Sequence, residues 1–294
     1  MGSFQLSKFL LNKIADLILV KNNAALKKLV KDIHFADMAE IIDELNEGEG
    51  VYLIKLFDSE KTSEILTELD EDVREKILKA LSVKEIADEI EELNSDDAAD
   101  ILAELSDKRK QEVISEISDD NLADDLKELL SYKEDSAGGL MAKELVKANE
   151  NWSVLKCLGE IKKQGENVTR VHSIYVVDDN DKLLGRLSLK DLITSSSKSV
   201  IKDIYIPKVD SVNVLENGED VAKIMSKYDL EAIPVVDDNK NLVGRITIDD
   251  IVDFIKDEAE EDYLIAAGIQ GDVEADDSIL ELTKARLPWL FLGL

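Results

Sequence analysis

The chain has 294 residues and a formal charge of −29, from 36 Lys plus Arg against 65 Asp plus Glu. That balance argues against a nucleic-acid or anionic-membrane binder, because both are held by cationic surface. It favours cations, basic partners or simply a very soluble exterior. A single cysteine, Cys157, excludes a disulfide framework within the chain, and two histidines, His34 and His172, are too few for a His-rich zinc site. The length allows two or three domains with their own cores. No secretory signal and no apolar run of about 18 residues is visible, which predicts a soluble cytosolic chain.

From Asp37 to Leu130 an apolar residue recurs every twelve positions: Leu45, Phe57, Leu69, Leu81, Leu93, Leu105, Ile117 and Leu129. Most are preceded three and four positions earlier by further apolar residues, such as Ile41 and Ile42, Ile65 and Leu66, or Ile101 and Leu102. This is one face of a helix of two or three turns. The intervening Ser, Asp and Asn residues, as in Asn94-Ser-Asp-Asp97, suit caps and turns. Such short helices cannot bury a face alone, so they are predicted to stack into a superhelix. Most acids here read as a solvated face and caps. Asp96 and Asp100 stand apart, because one helical turn separates them and, with Asp97, they concentrate charge at one edge.

The second half is a duplication. The segment Ile174–Ile193 returns 59 residues later as Ile233–Val252, with ten of twenty positions identical. Each copy reads as strand, Asp-Asp-Asn turn, strand and helix, the helix capped by Ser188 or Thr247. An amphipathic helix precedes each copy, near Val154 to Lys163 and Glu219 to Lys227. The pattern resembles a tandem pair of cystathionine-β-synthase-type (CBS) domains, a regulatory module that often binds adenosine nucleotides. The resemblance implies a nucleotide beside Gly185, Ser188 and Asp191, and beside Gly244, Thr247 and Asp250, with the Asp on the ribose. A Ser or Thr N-cap followed by an acid in the first turn accounts for the same residues without a ligand.

Between Asp249 and Asp262 stand eight acids and one base, Lys256. At about 100° per residue, Ile251, Val252, Ile255 and Ala259 share one face, and Asp250, Asp253, Asp257 and Glu261 the opposite one. Like charges at i,i+3 and i,i+4 cost a few tenths of a kcal/mol each, which a bound cation relieves. Oxygen ligands without His or Cys suit Mg²⁺ or Ca²⁺, and the missing EF-hand spacing favours Mg²⁺. The final run Leu287-Pro-Trp-Leu-Phe-Leu-Gly-Leu294 reads as the start of a truncated membrane segment, with Trp289 at interface height, or else as a docking tail.

The order of these parts resembles the cytosolic region of MgtE-type magnesium transporters over essentially the whole chain. The resemblance rests on Asp96-Asp-Ala-Ala-Asp100, Tyr132-Lys-Glu-Asp-Ser-Ala-Gly-Gly-Leu-Met141, Tyr228-Asp-Leu-Glu-Ala-Ile-Pro-Val-Val-Asp237 and Thr247-Ile-Asp-Asp-Ile-Val-Asp253, with Glu258-x-x-Glu261-Asp262 after it. Gly139 and Ala142-Lys143 depart from the usual pattern, where Arg and Thr-Pro are typical. The expected fold is α+β and multidomain. It comprises an all-α superhelix of short helices (1–132), a first CBS domain (136–199), a second (200–257) and an acidic connecting "plug" helix (258–294). The resemblance implies a CBS-joined homodimer at the cytoplasmic face of the cell membrane, attached to its own transmembrane pore and binding no nucleic acid. It implies Mg²⁺ ligands at Asp96, Asp100, Glu219, Asp229, Asp250, Asp253, Glu258, Glu261 and Asp262, with ions holding a closed gate. The residues alone favour Asp96, Asp100, Asp250, Asp253 and Glu261; Glu219 and Asp229 rest on the resemblance.

No Ser-His-Asp, Cys-His or paired-carboxylate arrangement is visible, so no enzyme is expected, and Cys157 reads as a small core residue. Two rivals remain open. One is a CBS regulator responding to ATP or another adenine nucleotide, its acids only solubilising. The other is a helical scaffold for a basic protein.

Overall fold

The computed structural model describes residues 6–165, 168 and 170–266, the side chains of 260–262 and 264–266 excepted. It divides into one unit of Met1–Lys133 with Ala142–Glu144, and a second of Glu134–Met141 with Leu145–Leu294.

The first unit is built from ten helices among the described residues: α1 (Lys8–Leu19), α2 (Asn23–Val30), α3 (Phe35–Asp43), α4 (Glu47–Ile54), α5 (Ser59–Glu68), α6 (Glu71–Ala80), α7 (Val83–Ile90), α8 (Ser95–Ala103), α9 (Asp107–Glu116) and α10 (Asp120–Leu129). Helices pack largely on their second neighbours, α3 on α5, α5 on α7 and α7 on α9, with α4 on α6 and α8 on α10. The recurring residue of the twelve-residue period marks helix exits: Leu69, Leu81 and Ile117 are C-caps of α5, α6 and α9. The residues three and four earlier form the core, with Ile41, Ile65 and Val113 fully enclosed and Ile42, Leu66, Ile77 and Leu78 at 1 % exposure.

Helices of eight to ten residues leave four N–H and four C=O groups each without an intrahelical partner. Asn46, Asp58, Ser82 and Asp119 accept from first-turn amides and close the N-terminal ends, Asn46 and Ser82 within capping boxes. Cations close the other ends. Lys61 Nζ donates to the Val30 and Ile33 carbonyls, Arg74 to Leu66 and Leu69, and Arg109 to Leu78 and Leu81. Desolvation lowers the Lys61 pKa, only partly opposed by Asp58, Glu64 and Asp32. A positive charge at a helix C-terminus also meets the negative end of the macrodipole.

The second unit repeats one topology. The first copy contains β1 (Val146–Asn149), α11 (Val154–Gln164), β2 (Ile174–Val177), β3 (Leu183–Leu187), α12 (Leu189–Thr194) and β4 (Ile206–Pro207). The second contains β5 (Val212–Asn213), α13 (Gly218–Tyr228), β6 (Ala232–Val236), β7 (Leu242–Thr247) and α14 (Ile248–Ala266). The sheets run β1-β2-β3-β4 and β5-β6-β7, each beginning with a parallel pair and continuing antiparallel. The duplication extends to register: Ile174 faces Leu187 as Ile233 faces Ile246, and both hairpins slip at the Val-Val step, Val176/Val177 and Val235/Val236. In both turns an Asp carboxylate folds the loop. Asp178 accepts from the amides of Asn180 and Lys182, Asp237 from those of Asn239 and Asn241. The two turns pair through Leu183 N–H to Lys240 O and Leu242 N–H to Asp181 O.

Cys157 is fully buried in the first copy's core, and burial pushes its thiol up to about 11, which keeps it unreactive.

Glu89 on α7 titrates abnormally. One carboxylate oxygen is enclosed without a partner, and burial, reinforced by Asp88, Glu92, Glu85 and Asp58, raises its pKa from 4.5 to about 7. The native state therefore holds more protons than the unfolded chain between pH 4.5 and about 7, so Glu89 lowers stability as pH rises through that window. With solvent screening the effect is about 1 kcal/mol at pH 8. Glu89→Gln is expected to raise the melting temperature at pH 8 by a few degrees and to leave it unchanged near pH 4.5, read by circular dichroism.

Candidate metal and nucleotide sites

In the helical unit, the N-terminus of α8 carries the first pair of expected ligands. Ser95 there is fully buried, and its amide and hydroxyl donate to the Glu144 carboxylate, the hydroxyl at 2.9 Å. Asp96 is buried, 9 % exposed, and its Oδ1 accepts from the Asp97 amide at 3.0 Å. Asp100, one turn on, is exposed. The two share the helix spacing expected of them and differ in environment, because Asp96 lies in the first turn, where amides without helical partners donate to a carboxylate. Around this end stands a set that spacing did not reveal. Lys143 Nζ, 12 % exposed, pairs with Glu128 at 2.8 Å. Asp125 is held above the usual carboxylate range by burial, opposed by Lys143 and reinforced by Glu128 and Glu144. Lys143 brings a cation to this cluster.

In the CBS unit, Asp250 serves its own helix. Its Oδ2 accepts from the Thr247 amide at 2.9 Å and the Thr247 hydroxyl at 2.5 Å, the N3-to-N-cap half of a capping box. Asp253 is exposed and pairs with Lys256 at 2.6 Å; Glu258 is half-buried. Glu219, exposed in the first turn of α13, pairs with Lys223, which also reaches Asp220. Asp229 is exposed and occupies the left-handed C-cap of α13, φ 50° and ψ 49°, its amide donating to Met225 O. Glu261 and Asp262 lie on α14 with side chains outside the described residues, and Leu287–Leu294 lies outside them entirely. Among the described residues no three His, Cys, Asp or Glu side chains converge closely enough to hold a metal ion.

The apolar face expected on α14 is mostly uncovered. Ile251 is buried, whereas Val252 and Ile255 are 44 % and 47 % exposed. With Glu219, Ala222, Lys223, Ser226 and Lys227 of α13, Ile255 lines an open hollow of about 450 Å³.

The expected nucleotide residues have local duties too. Ser188 caps α12 by accepting from the Lys190 amide, and Asp191 lies in the first turn. Gly185 is required sterically, since a Cβ there would stand 2.2 Å from the Ile206 carbonyl oxygen. A feature missed from the sequence is Tyr175. It is 1 % exposed, its hydroxyl has no hydrogen-bond partner, and burial pushes it up to about 12 despite Arg245 and Arg186 nearby. Those arginines follow the duplicated glycines, and that repetition was the available signal.

Serial short helices followed by a duplicated β-α-β-β-α pair define a helical domain joined to a tandem CBS module. Residues 33–135 match the MgtE intracellular N domain family, and 137–198 and 201–257 match the CBS domain family. The magnesium transporter MgtE of Enterococcus faecalis is 38 % identical over 56 % of this chain and 37 % of its own length; that of Thermus thermophilus is 37 % identical over 55 % and 36 %. The chain thus spans little more than a third of these curated relatives. A crystal structure of the cytosolic domain of the Mg²⁺ channel MgtE in complex with ATP superposes with a TM-score of 0.77 at 31 % identity, covering 83 % of this chain and 99 % of that one. The chain belongs to the MgtE family and comprises its helical N domain and CBS pair. No helix among the described residues is long and apolar enough to cross a membrane.

Two substitutions separate local duty from ligand duty. Gly185→Ala is expected to destabilise the CBS unit by about 1–3 kcal/mol, because backbone must yield; chemical denaturation reads it. Asp229→Gly removes a carboxylate while favouring the left-handed C-cap, so the melting temperature is expected to hold or rise slightly.

Proposed function

We propose that this chain is the Mg²⁺-responsive cytosolic region of a magnesium transporter and that it regulates conduction without enzymatic chemistry. The observation that carries the reading is the match, part by part and over 83 % of this chain and 99 % of the other, to the cytosolic domain of a Mg²⁺ channel. The acid-rich α14, with eight acids and one base from Asp249 to Asp262, supports it.

Asp96, Asp100, Glu219, Asp229, Asp250, Asp253, Glu258, Glu261 and Asp262 are the proposed ligand set, taking Mg²⁺ through one or two carboxylates per ion and retained waters. Ions shared among the helical unit, the CBS pair and the connecting helix favour a compact state that closes the pore. Without them the carboxylates repel and the state opens. Such a ligand moves the population only by its differential affinity for the two states, so several weak sites acting together give a steep response. The active form is a homodimer joined through the CBS units. Exposed Leu155 on α11, Leu189 and Ile193 on α12, and Val252 and Ile255 on α14 support this, because monomers rarely leave so many large apolar side chains uncovered.

The test is small-angle scattering during an Mg²⁺ titration through the millimolar range, with KCl of matched ionic strength as control. Compaction of a dimer by Mg²⁺ alone is expected, weakened in Asp253→Asn and Asp229→Gly. An unchanged envelope sinks the sensor reading.

A second ligand is favoured by Tyr175, Arg186 and Arg245, two guanidinium groups beside an unpartnered hydroxyl. They suit the phosphates of an adenine nucleotide, and the related cytosolic domain was crystallised with ATP. ATP is expected to bind this chain, with affinity lowered at least tenfold in Arg245→Ala by calorimetry.

A further inference from the structure

The first 31 residues reverse the charge of the chain. They hold Lys8, Lys13, Lys21, Lys27, Lys28 and Lys31 against one acid, Asp16, in a protein of net charge −29. All six lysines are exposed. They lie on or at the ends of α1 and α2, which pack together and precede the residues matched by the N domain family. Helix α1 buries Ile14 and Ile18. At about 100° per residue its opposite arc carries Phe9, Lys13, Leu19 and the C-cap Val20. Phe9 is 77 % exposed, Leu19 81 % and Val20 68 %.

Single exposed apolar residues are ordinary. Three large ones on one arc, with Lys13 among them and five further lysines on or beside α1 and α2, form a basic amphipathic surface. Phe9 and Leu19 lie about 15 Å apart along a convex helix. A protein partner would need two separate hollows at that spacing, whereas a lipid interface deforms around each side chain and offers phosphate groups to Lys13 between them and to the other lysines of α1 and α2. Acids more than a Debye length of about 8 Å away are screened and oppose this little, while α4, packed on α1, brings Glu47 and Glu49.

We infer that α1 and α2 form a docking surface for an anionic lipid bilayer. The inference rests on the proposed transporter reading only for placing the chain beside a membrane.

The test is flotation of the full chain with phosphatidylcholine vesicles, with and without phosphatidylglycerol. The readout is the ratio of the two partition coefficients, since the apolar run at Leu287–Leu294 can add charge-independent binding. The ratio is expected to favour phosphatidylglycerol and to fall about fivefold per lysine removed in Lys13→Gln, Lys27→Gln and Lys28→Gln. These side chains are exposed, so the fold is retained, as circular dichroism verifies. Phe9→Ser with Leu19→Ser is expected to lower partitioning into both vesicles. A ratio unchanged by the triple lysine variant overturns the inference. So does self-association without vesicles that the same lysines abolish, which would assign the surface to acids of a second copy. Loss of lipid docking with Mg²⁺ compaction intact sinks this inference alone, and the converse sinks the sensor reading alone.

Discussion

The helical unit depends on satisfying backbone groups that its own helices cannot. A nine-residue helix has four amides and four carbonyls beyond the reach of its internal ladder, so close to half of its backbone polarity must be met from outside. Oxygen-bearing residues meet it at the N-termini and long cations at the C-termini, as Asp58, Lys61, Arg74 and Arg109 show. This constraint sets the length of the repeat, the turn chemistry and part of the charge composition. It also explains why Lys61 and the arginines are partly buried in a chain with few cations to spare.

The same constraint reaches the second unit. Asp178 and Asp237 fold the hairpin turns, and Asp250 closes the start of α14. Many acids that look available for a cation thus already hold an amide or a lysine. A carboxylate engaged in a cap retains lone pairs, so cap and ligand duty are compatible, but its orientation is then set by the backbone. The first turn of α14 aims Asp250 at Thr247, and Asp253 one turn later reaches solvent.

Duplication makes the departures from symmetry informative. The two hairpins share register, bulge and turn, yet Tyr175 on β2 corresponds to Pro234 on β6. One copy therefore places a buried hydroxyl near Arg186 and Arg245 and the other cannot. Apolar positions of α11, α12 and α14 remain uncovered as well.

Sequence alone determined the element types, the helical repeat and the duplicated hairpins, because each follows from local periodicity and turn chemistry, and its motifs, in their order, carried the resemblance to the family. It also marked Asp96, Asp100, Asp250 and Asp253 as carboxylates at helical spacing. Only the tertiary structure decided which were buried and which were engaged. It moved the period-marking leucines to helix exits, turned Asp96 inward while leaving Asp100 in solvent, and gave Asp229 a left-handed cap. It also gathered Glu128, Lys143 and Glu144 at one helix end and enclosed the Tyr175 hydroxyl. The physical reason is range: capping and periodicity act within about four residues, whereas burial and charge pairing depend on elements brought together from distant parts of the chain.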